Sequence, residues 1–378
     1  MKLNFFGKMS VDHFLVNYWN KKPLLLKKVI PISQSNPLDF SDFNKMASDP
    51  SFETRVVHES GGDYPWQAKV GPFNKSEFKK GKKWTLICHN LEQYSKQLFQ
   101  LKNKFNFIPH WHSDDVMATI SEVGASVGAH IDDYSVFIFQ GVGKRKWLLE
   151  ENPTPGHDPD LDIRLLKQFS PHIEWILEPG DMLYIPPNVA HHGITIEKSI
   201  SYSVGFKSIR YNNLLPYFLS SIVEDLEDAS FHDPKSVIAT DPFLVPGHVS
   251  NAIQKEVIKF VSDKERFAEA LLSFLASPKN INEDINELSL IEINWSLLNK
   301  PFYRDPWAKL TSRKISTSKY QIAVNDKRYV VGASEYNFIK ALFTINPQVG
   351  TKAKKTDLKN QKLVALLILL VQDGVISF

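Results

Sequence analysis

The feature that most constrains this chain is a block of short alternating runs between about residues 113 and 206. "VMATIS", "YSVFIFQ", "KRKWLLE", "EWILEP", "DMLYIPP", "GITIE" and "SISYSVGF" follow one another, punctuated by glycine and proline. Successive side chains of a strand face opposite ways, so a period of two means one face in and one face out. Many short strands at close, fairly even spacing imply an antiparallel sandwich or barrel. The flanks read differently. Before the block, "SVDHFLVNYW" is a short helix with Ser10 as N-cap, "KPLLLKKVI" and "KKWTLICHN" are strands, and "NLEQYSKQLFQLKNKF" is a helix. After it, residues 210–298 read as helices. From about 300 the pattern mixes a hairpin around Asn325-Asp326, two helices and a closing strand "VISF", which together fit a winged-helix-like module. The fold class is therefore α+β, with divisions at 1–209 (core about 90–209), 210–298 and 299–378.

Composition limits the function classes. With 378 residues, 43% of them apolar, the chain can bury a sizeable core. The single cysteine, Cys88, excludes an intrachain disulfide and fits a reducing, cytoplasmic setting. The start "MKLNFFGKMSVDHF" has no continuous apolar run of the kind a secretory signal needs. The longest apolar run, "LVALLILLV", has nine residues, too few to span a bilayer; it reads as a buried helix, and no membrane partner is expected. Residues 300–378 hold 14 Lys/Arg against 5 Asp/Glu, an excess of +9, so the rest must carry −6 of the net +3. A basic tail on an acidic body suggests different partners for the two parts.

Within the strand block, "GAHIDDYSVF" places His130 and Asp132 two apart, hence on one face. A half-buried carboxylate beside a histidine is costly unless something compensates its charge, and a metal ion does so. A third ligand must come from elsewhere. In "EPGDMLYIPPNVAHHGI", a Pro-Pro-Asn turn delivers His191 at the start of a strand, and strand parity allows only one of His191 and His192 to share the site. Two histidines and one carboxylate with open positions form the facial triad of non-haem iron(II) oxygenases; zinc more often takes three histidines, or two with a glutamate. Alone, an H-x-D or a histidine after a turn is common without any metal. The conjunction of the three is what points to a site. In "GKRKWLLE", Arg145 shares the inward parity of Trp147 and Leu149. A buried guanidinium requires a carboxylate, either from the protein itself or from a dicarboxylate cosubstrate such as 2-oxoglutarate. Thr119 and Ser121 in "MATIS", and Ser203 or Tyr202 in "SYSVGF", are hydroxyl candidates for the same pocket.

The ordered set "FLVNYWNKKPLLLKK", "WQAKVGPF", "KKWTLICHNLEQY", "DDVMATIS", "VGAHIDDYSVFIFQGVGKRKW", "EPGDMLYIPPNVAHHGI" and "YSVGF" resembles the bacterial ribosomal oxygenases, the JmjC-type cupin arginine hydroxylases, over almost the whole chain. The resemblance implies a double-stranded β-helix core, a helical dimerisation region giving a homodimer, and a C-terminal winged helix. It implies Fe(II) held by His130, Asp132 and His191, with Arg145 holding 2-oxoglutarate, O2 as oxidant, and hydroxylation of an arginine in a large-subunit ribosomal protein. Two departures bear on the pocket mouth: "GASVGAHID" is poorer in glycine than the family pattern and has no proline before His130, and His192 follows the third ligand. A cationic substrate calls for carboxylates near that mouth, with Asp114, Asp115 and Asp133 as candidates. The competing readings are an N-demethylase or a histidine hydroxylase on the same fold, and a non-catalytic cupin with a nucleic-acid-binding winged helix.

Overall fold

The computed structural model describes residues 6–7, 9–59, 66–154, 156, 158, 164–223, 226, 230–232, 243–278, 300–354 and 356–378. The head of the turn-rich "GGDYPWQAKVGPF" segment and the end of the helical stretch, 279–299, lie outside these residues. Two compact units divide the chain, Met1–Ser208 and Ile209–Phe378.

The first unit begins with α1 (Val11–Asn17), β1 (Leu24–Leu26), α2 (Phe40–Ser48), β2 (Thr54–Glu59), β3 (Trp66–Val70), β4 (Lys83–Cys88) and α3 (Lys96–Asn103). The strand block follows: β5 (Ser113–Ser121), β6 (His130–Ile131), β7 (Ser135–Val142), β8 (Arg145–Glu150), β9 (Ile173–Leu177), β10 (Met182–Ile185), β11 (Ala190–Thr195) and β12 (Ser199–Phe206). Local chemistry sets the ends of these elements. Ser10 caps α1 by accepting from the His13 N–H, and Asp39 with Asp42 forms a capping box on α2. Gly143, between β7 and β8, has φ +65°, and a Cβ there would stand 2.3 Å from the Lys198 carbonyl oxygen, so the turn admits only glycine.

The strands form two sheets. The larger runs β1-β10-β7-β12-β5-β4-β2-β3 and the smaller β6-β11-β8-β9. All pairings are antiparallel. Alternation decides which residues fill which space. Val136 and Ile138 of β7, Trp147 and Leu149 of β8, and Leu183 and Ile185 of β10 form one cluster. The opposite parity of the larger sheet, Phe137, Phe139, Tyr184, Tyr202 and Val204, meets Phe14, Phe43, Leu98 and Phe105 from the N-terminal helices and loops. Phe14 is the one fully buried residue of α1, and its ring lies 5.0 Å edge-on to Tyr184. Burying such a side chain stabilises by about 1.5–3 kcal/mol. The N-terminal segment is therefore a layer of the same domain, anchored by aromatic rings.

The second unit contains α4 (Tyr211–Val223), α5 (Gly247–Val261) and α6 (Lys264–Ala276), then β13 (Tyr303–Arg304), β14 (Leu310–Lys314), β15 (Lys319–Val324), β16 (Lys327–Gly332), α7 (Ala333–Thr344), α8 (Gln361–Gln372) and β17 (Ile376–Ser377). Its hairpin turns at Asn325 and Asp326, where Asn325 adopts φ 56°. The run "LVALLILLV" is the apolar face of α8, with Leu363, Leu367 and Leu370 buried. No helix among the described residues is long and apolar enough to cross a membrane. Helix α6 packs on the C-terminal sheet: Thr311 Oγ1 donates to the Leu272 carbonyl at 2.7 Å, and Gln321 Nε2 to Glu269 at 2.8 Å.

Candidate metal and cosubstrate site

Three side chains from β6, the turn after it and the start of β11 converge. One ligand atom each from His130, Asp132 and His191 lies within 4.8 Å of the others, and no other group of three or more such residues forms among the described residues. Asp132 Oδ2 stands 3.9 Å from His130 Nε2 and 3.6 Å from His191 Nε2. Register explains the meeting. His130 and His191 are cross-strand partners in the β6–β11 ladder. The Pro186-Pro187-Asn188 turn then ties this strand to Asp132: Asn188 adopts φ 65° and its N–H donates to the Asp132 carbonyl at 2.8 Å. Asparagine tolerates that left-handed conformation better than most residues.

Both histidines are set up as ligands through Nε2. His130 Nδ1 donates to the Gly128 carbonyl and His191 Nδ1 to the Val189 carbonyl, each at 3.0 Å. A proton fixed on Nδ1 leaves the Nε2 lone pair aimed at the shared point. Burial pushes His191 down to about 4, with the nearby His130 adding to the effect, so its ring is neutral at physiological pH. A neutral imidazole does not form an ion pair, so the 3.6 Å approach of His191 to Asp132 is ligand spacing. Tyr134 lies in the same turn as Asp132, before β7. Burial, reinforced by Asp132, Asp115 and Asp114, holds its phenol far above the ordinary tyrosine range, and its hydroxyl bonds to Asp132. Sequence reasoning stopped at His130 and Asp132 and missed Tyr134, two residues further on.

Arg145 is inward and 5% exposed, on the strand face of Trp147 and Leu149. Its Nε donates to Ser199 Oγ at 2.8 Å, Nη1 to Thr119 Oγ1 at 2.7 Å, and Nη2 to Ser121 Oγ and the Thr119 carbonyl. Every partner is neutral, and burial depresses its pKa to about 9. Among the described residues no carboxylate forms an ion pair with it, so the internal salt bridge allowed by the sequence is absent. Arg145 pairs with Thr195 and Leu149 with His191, so guanidinium strand position and triad lie four residues apart on one face, roughly 13 Å of strand.

The hydroxyl candidates divide. Thr119 and Ser121, candidates for donating to a cosubstrate carboxylate, accept from the guanidinium itself. Ser203 makes no such contact: it pairs with Met117, whereas Ser199 pairs with Ser121 and supplies the third hydroxyl. Tyr202 has the opposite parity, and its hydroxyl bonds to Asn36 and Leu38. His192 also faces away from the triad, with Nε2 2.9 Å from Ser126 Oγ. Of the acids, Asp115 is buried, 3.0 Å from His89 Nδ1 and accepting from the Asn90 N–H, while Asp114 pairs with Lys207 at 3.1 Å. Asp133 is half-buried.

Residues 100–214 match the family model of the JmjC domain. The chain carries a JmjC domain. Its curated relatives include a Haemophilus influenzae protein named "Probable ribosomal oxygenase", 32% identical over 65% of this chain and 59% of that protein. They also include the Escherichia coli "Ribosomal protein uL16 3-hydroxylase", 28% identical over 71% of each chain. The matched stretch thus spans under two thirds of the first relative and somewhat more of the second. In fold, the chain is similar to a crystal structure of E. coli ycfD, with a TM-score of 0.79, 24% identity and 98% of both chains covered. Another structure of that protein, with cobalt and 2-oxoglutarate, gives a TM-score of 0.77 at 23% identity over 98% of both. The JmjC cupin fold accounts for the two facing sheets, and the resemblance to the bacterial ribosomal oxygenases stands.

Proposed function

We propose that this protein is an Fe(II)- and 2-oxoglutarate-dependent oxygenase that hydroxylates a side chain, an arginine, of a large-subunit ribosomal protein. The observation that carries it is the pairing of two features on one strand face. A two-histidine, one-carboxylate triad turns its Nε2 atoms to one point, and a buried guanidinium has hydroxyl partners but no carboxylate partner among the described residues. The donor set fits ferrous iron, and Arg145 fits the far carboxylate of a keto diacid. With metal, cosubstrate and dioxygen bound, the chemistry supplied is oxidation of an unactivated C–H bond. The protein's own tasks are then positional. His130, Asp132 and His191 hold the metal, Tyr134 steadies Asp132, and the hydroxyls of Thr119, Ser121 and Ser199 aim Arg145. Asp115, buried on the inward parity of β5 with Thr119 and Ser121, supports a cationic substrate.

The relatives' names support a ribosomal protein as substrate: one reads uL16 3-hydroxylase, and an Aedes aegypti relative is named a bifunctional lysine-specific demethylase and histidyl-hydroxylase. The second keeps demethylation as the competing reading. Mass spectrometry of ribosomal proteins from cells with and without this protein separates the two. Hydroxylation adds the mass of one oxygen atom to an arginine peptide, whereas demethylation removes a methylene. Unchanged spectra would remove the ribosomal assignment.

The reading extends to assembly. The helical stretch after residue 210 serves dimerisation: on α4, Tyr211, Leu215, Leu219 and Val223 recur every four residues and are all exposed, an apolar stripe that a second copy would cover. A monomer mass in sedimentation would end that idea. The elements from β13 to β17 make the winged-helix-like module. Its charge excess of +9 supports weak contact with ribosomal RNA, a contact that must weaken as salt rises.

A further inference from the structure

We propose that His192 and Ser126 form a clamp that fixes the spacing of the two metal-ligating histidines. This rests on the metal-site reading above and assigns a positioning role to a residue that points away from the site. The contacts trace a closed circuit. His191 and His192 are neighbours on β11, facing opposite sides of the strand. His192 Nε2 meets Ser126 Oγ at 2.9 Å, and Ser126 Oγ accepts from the Gly128 N–H at 3.0 Å. With one lone pair engaged by that amide, the serine hydroxyl still has a proton and a second lone pair with which to meet the imidazole. The Gly128 carbonyl then accepts from His130 Nδ1 at 3.0 Å, which turns Nε2 of that ring toward the metal position. His130 pairs with His191 across the β6–β11 ladder, and the circuit closes.

The loop carrying Ser126 has no regular structure of its own, so its anchors decide where His130 sits. The Gly124 N–H donates to the Thr195 carbonyl and the Thr195 N–H to the Ala125 carbonyl, fastening the loop's start to the far end of β11. Gly128 holds φ +84°, and a Cβ there would stand 2.6 Å from Leu165. Between those points the His192–Ser126 contact joins the same strand again, one residue from His191. Ser126 is 5% exposed, so water replaces this contact poorly. A second branch leads to the guanidinium: Thr85 Oγ1 bonds to the Ser126 carbonyl and to Ser121 Oγ, which accepts from Arg145. That branch uses Ser126's backbone, so a Ser126→Ala change leaves it intact while cutting the clamp.

The test is anaerobic titration of the full chain with Co(II) alone, followed by its visible absorption, for the native protein and for Ser126→Ala, His192→Ala, the double variant and His192→Gln. Each alanine variant should bind Co(II) roughly tenfold or more weakly, within the 10–100-fold range that partners of metal ligands command. The double variant should lose no more than the weaker-binding single variant, because both remove one link. His192→Gln, whose amide still reaches Ser126 Oγ, should recover most of the affinity. Cosubstrate affinity at saturating metal should not move in Ser126→Ala. Native-like Co(II) affinity in both single variants, additive losses in the double variant, or a glutamine variant no better than alanine would each overturn the clamp. Absence of Co(II) binding by the native protein would instead sink the metal-site reading, and the clamp with it. If His192→Ala does not fold, Ser126→Ala and His192→Gln decide the matter.

Discussion

Asp132→Ala abolishes turnover and weakens Co(II) or Fe(II) binding by more than a hundredfold, exceeding the 10–100-fold cost of losing a partner behind a ligand. The carboxylate is the one anionic donor among the three, and it stands between the two Nε2 atoms at 3.6 and 3.9 Å. Without it, two imidazoles alone must hold a dication in a pocket where His191 is almost fully buried. Asp132→Asn keeps the volume and loses the charge, so it should rescue folding but not affinity. Metal titration and single-turnover product mass read both effects. An alanine variant that turns over normally would remove Asp132 from the site, and the oxygenase reading would follow it.

The second large effect is at Arg145. Arg145→Ala lowers 2-oxoglutarate affinity by about 2–4 kcal/mol, the cost of truncating one side of a buried charge pair, or roughly thirty- to a thousandfold. Metal binding should be nearly unchanged, because the guanidinium and the triad occupy strand positions four residues apart. Arg145→Lys should recover only part of the affinity: a point charge cannot reproduce a fork already aimed by Ser199, Thr119 and Ser121. Stability of the ligand-free protein should change little. Removing a desolvated charge stabilises it, while the hydroxyls left facing a cavity offset that gain. Isothermal titration with 2-oxoglutarate at saturating metal gives the answer, and native affinity in Arg145→Ala would move the cosubstrate elsewhere.

Much of this site was legible before any coordinates, for a simple reason. Which way a side chain faces along a strand is set by covalent geometry, and covalent geometry is local. The parity of "HID" placed His130 and Asp132 together; that of "RKWLL" turned Arg145 inward with Trp147 and Leu149; that of "AHH" made His191 and His192 exclusive alternatives. The same rule set Tyr202 against Ser203, and Tyr202 does face the aromatic layer beneath the N-terminal helices.

What neighbours a residue across a ladder is a different matter, since pairing register depends on the whole sheet. Strand β12 shifts register against β7 between Ile200 and Ser201, and against β5 between Val204 and Phe206. Those irregularities are invisible in the sequence, and they belong to the strand on which Ser199 rather than Ser203 stands beside Arg145. Likewise, Asp115 looked like any other acid of a loop or strand until His89 and the Asn90 amide came to it from a distant segment. Which way His130, Asp132, His191 and Arg145 face could be read from the chain alone, because alternation is a property of the backbone. Which hydroxyls and amides surround them could not, because those contacts join segments that chain geometry leaves independent and that meet only in the folded protein.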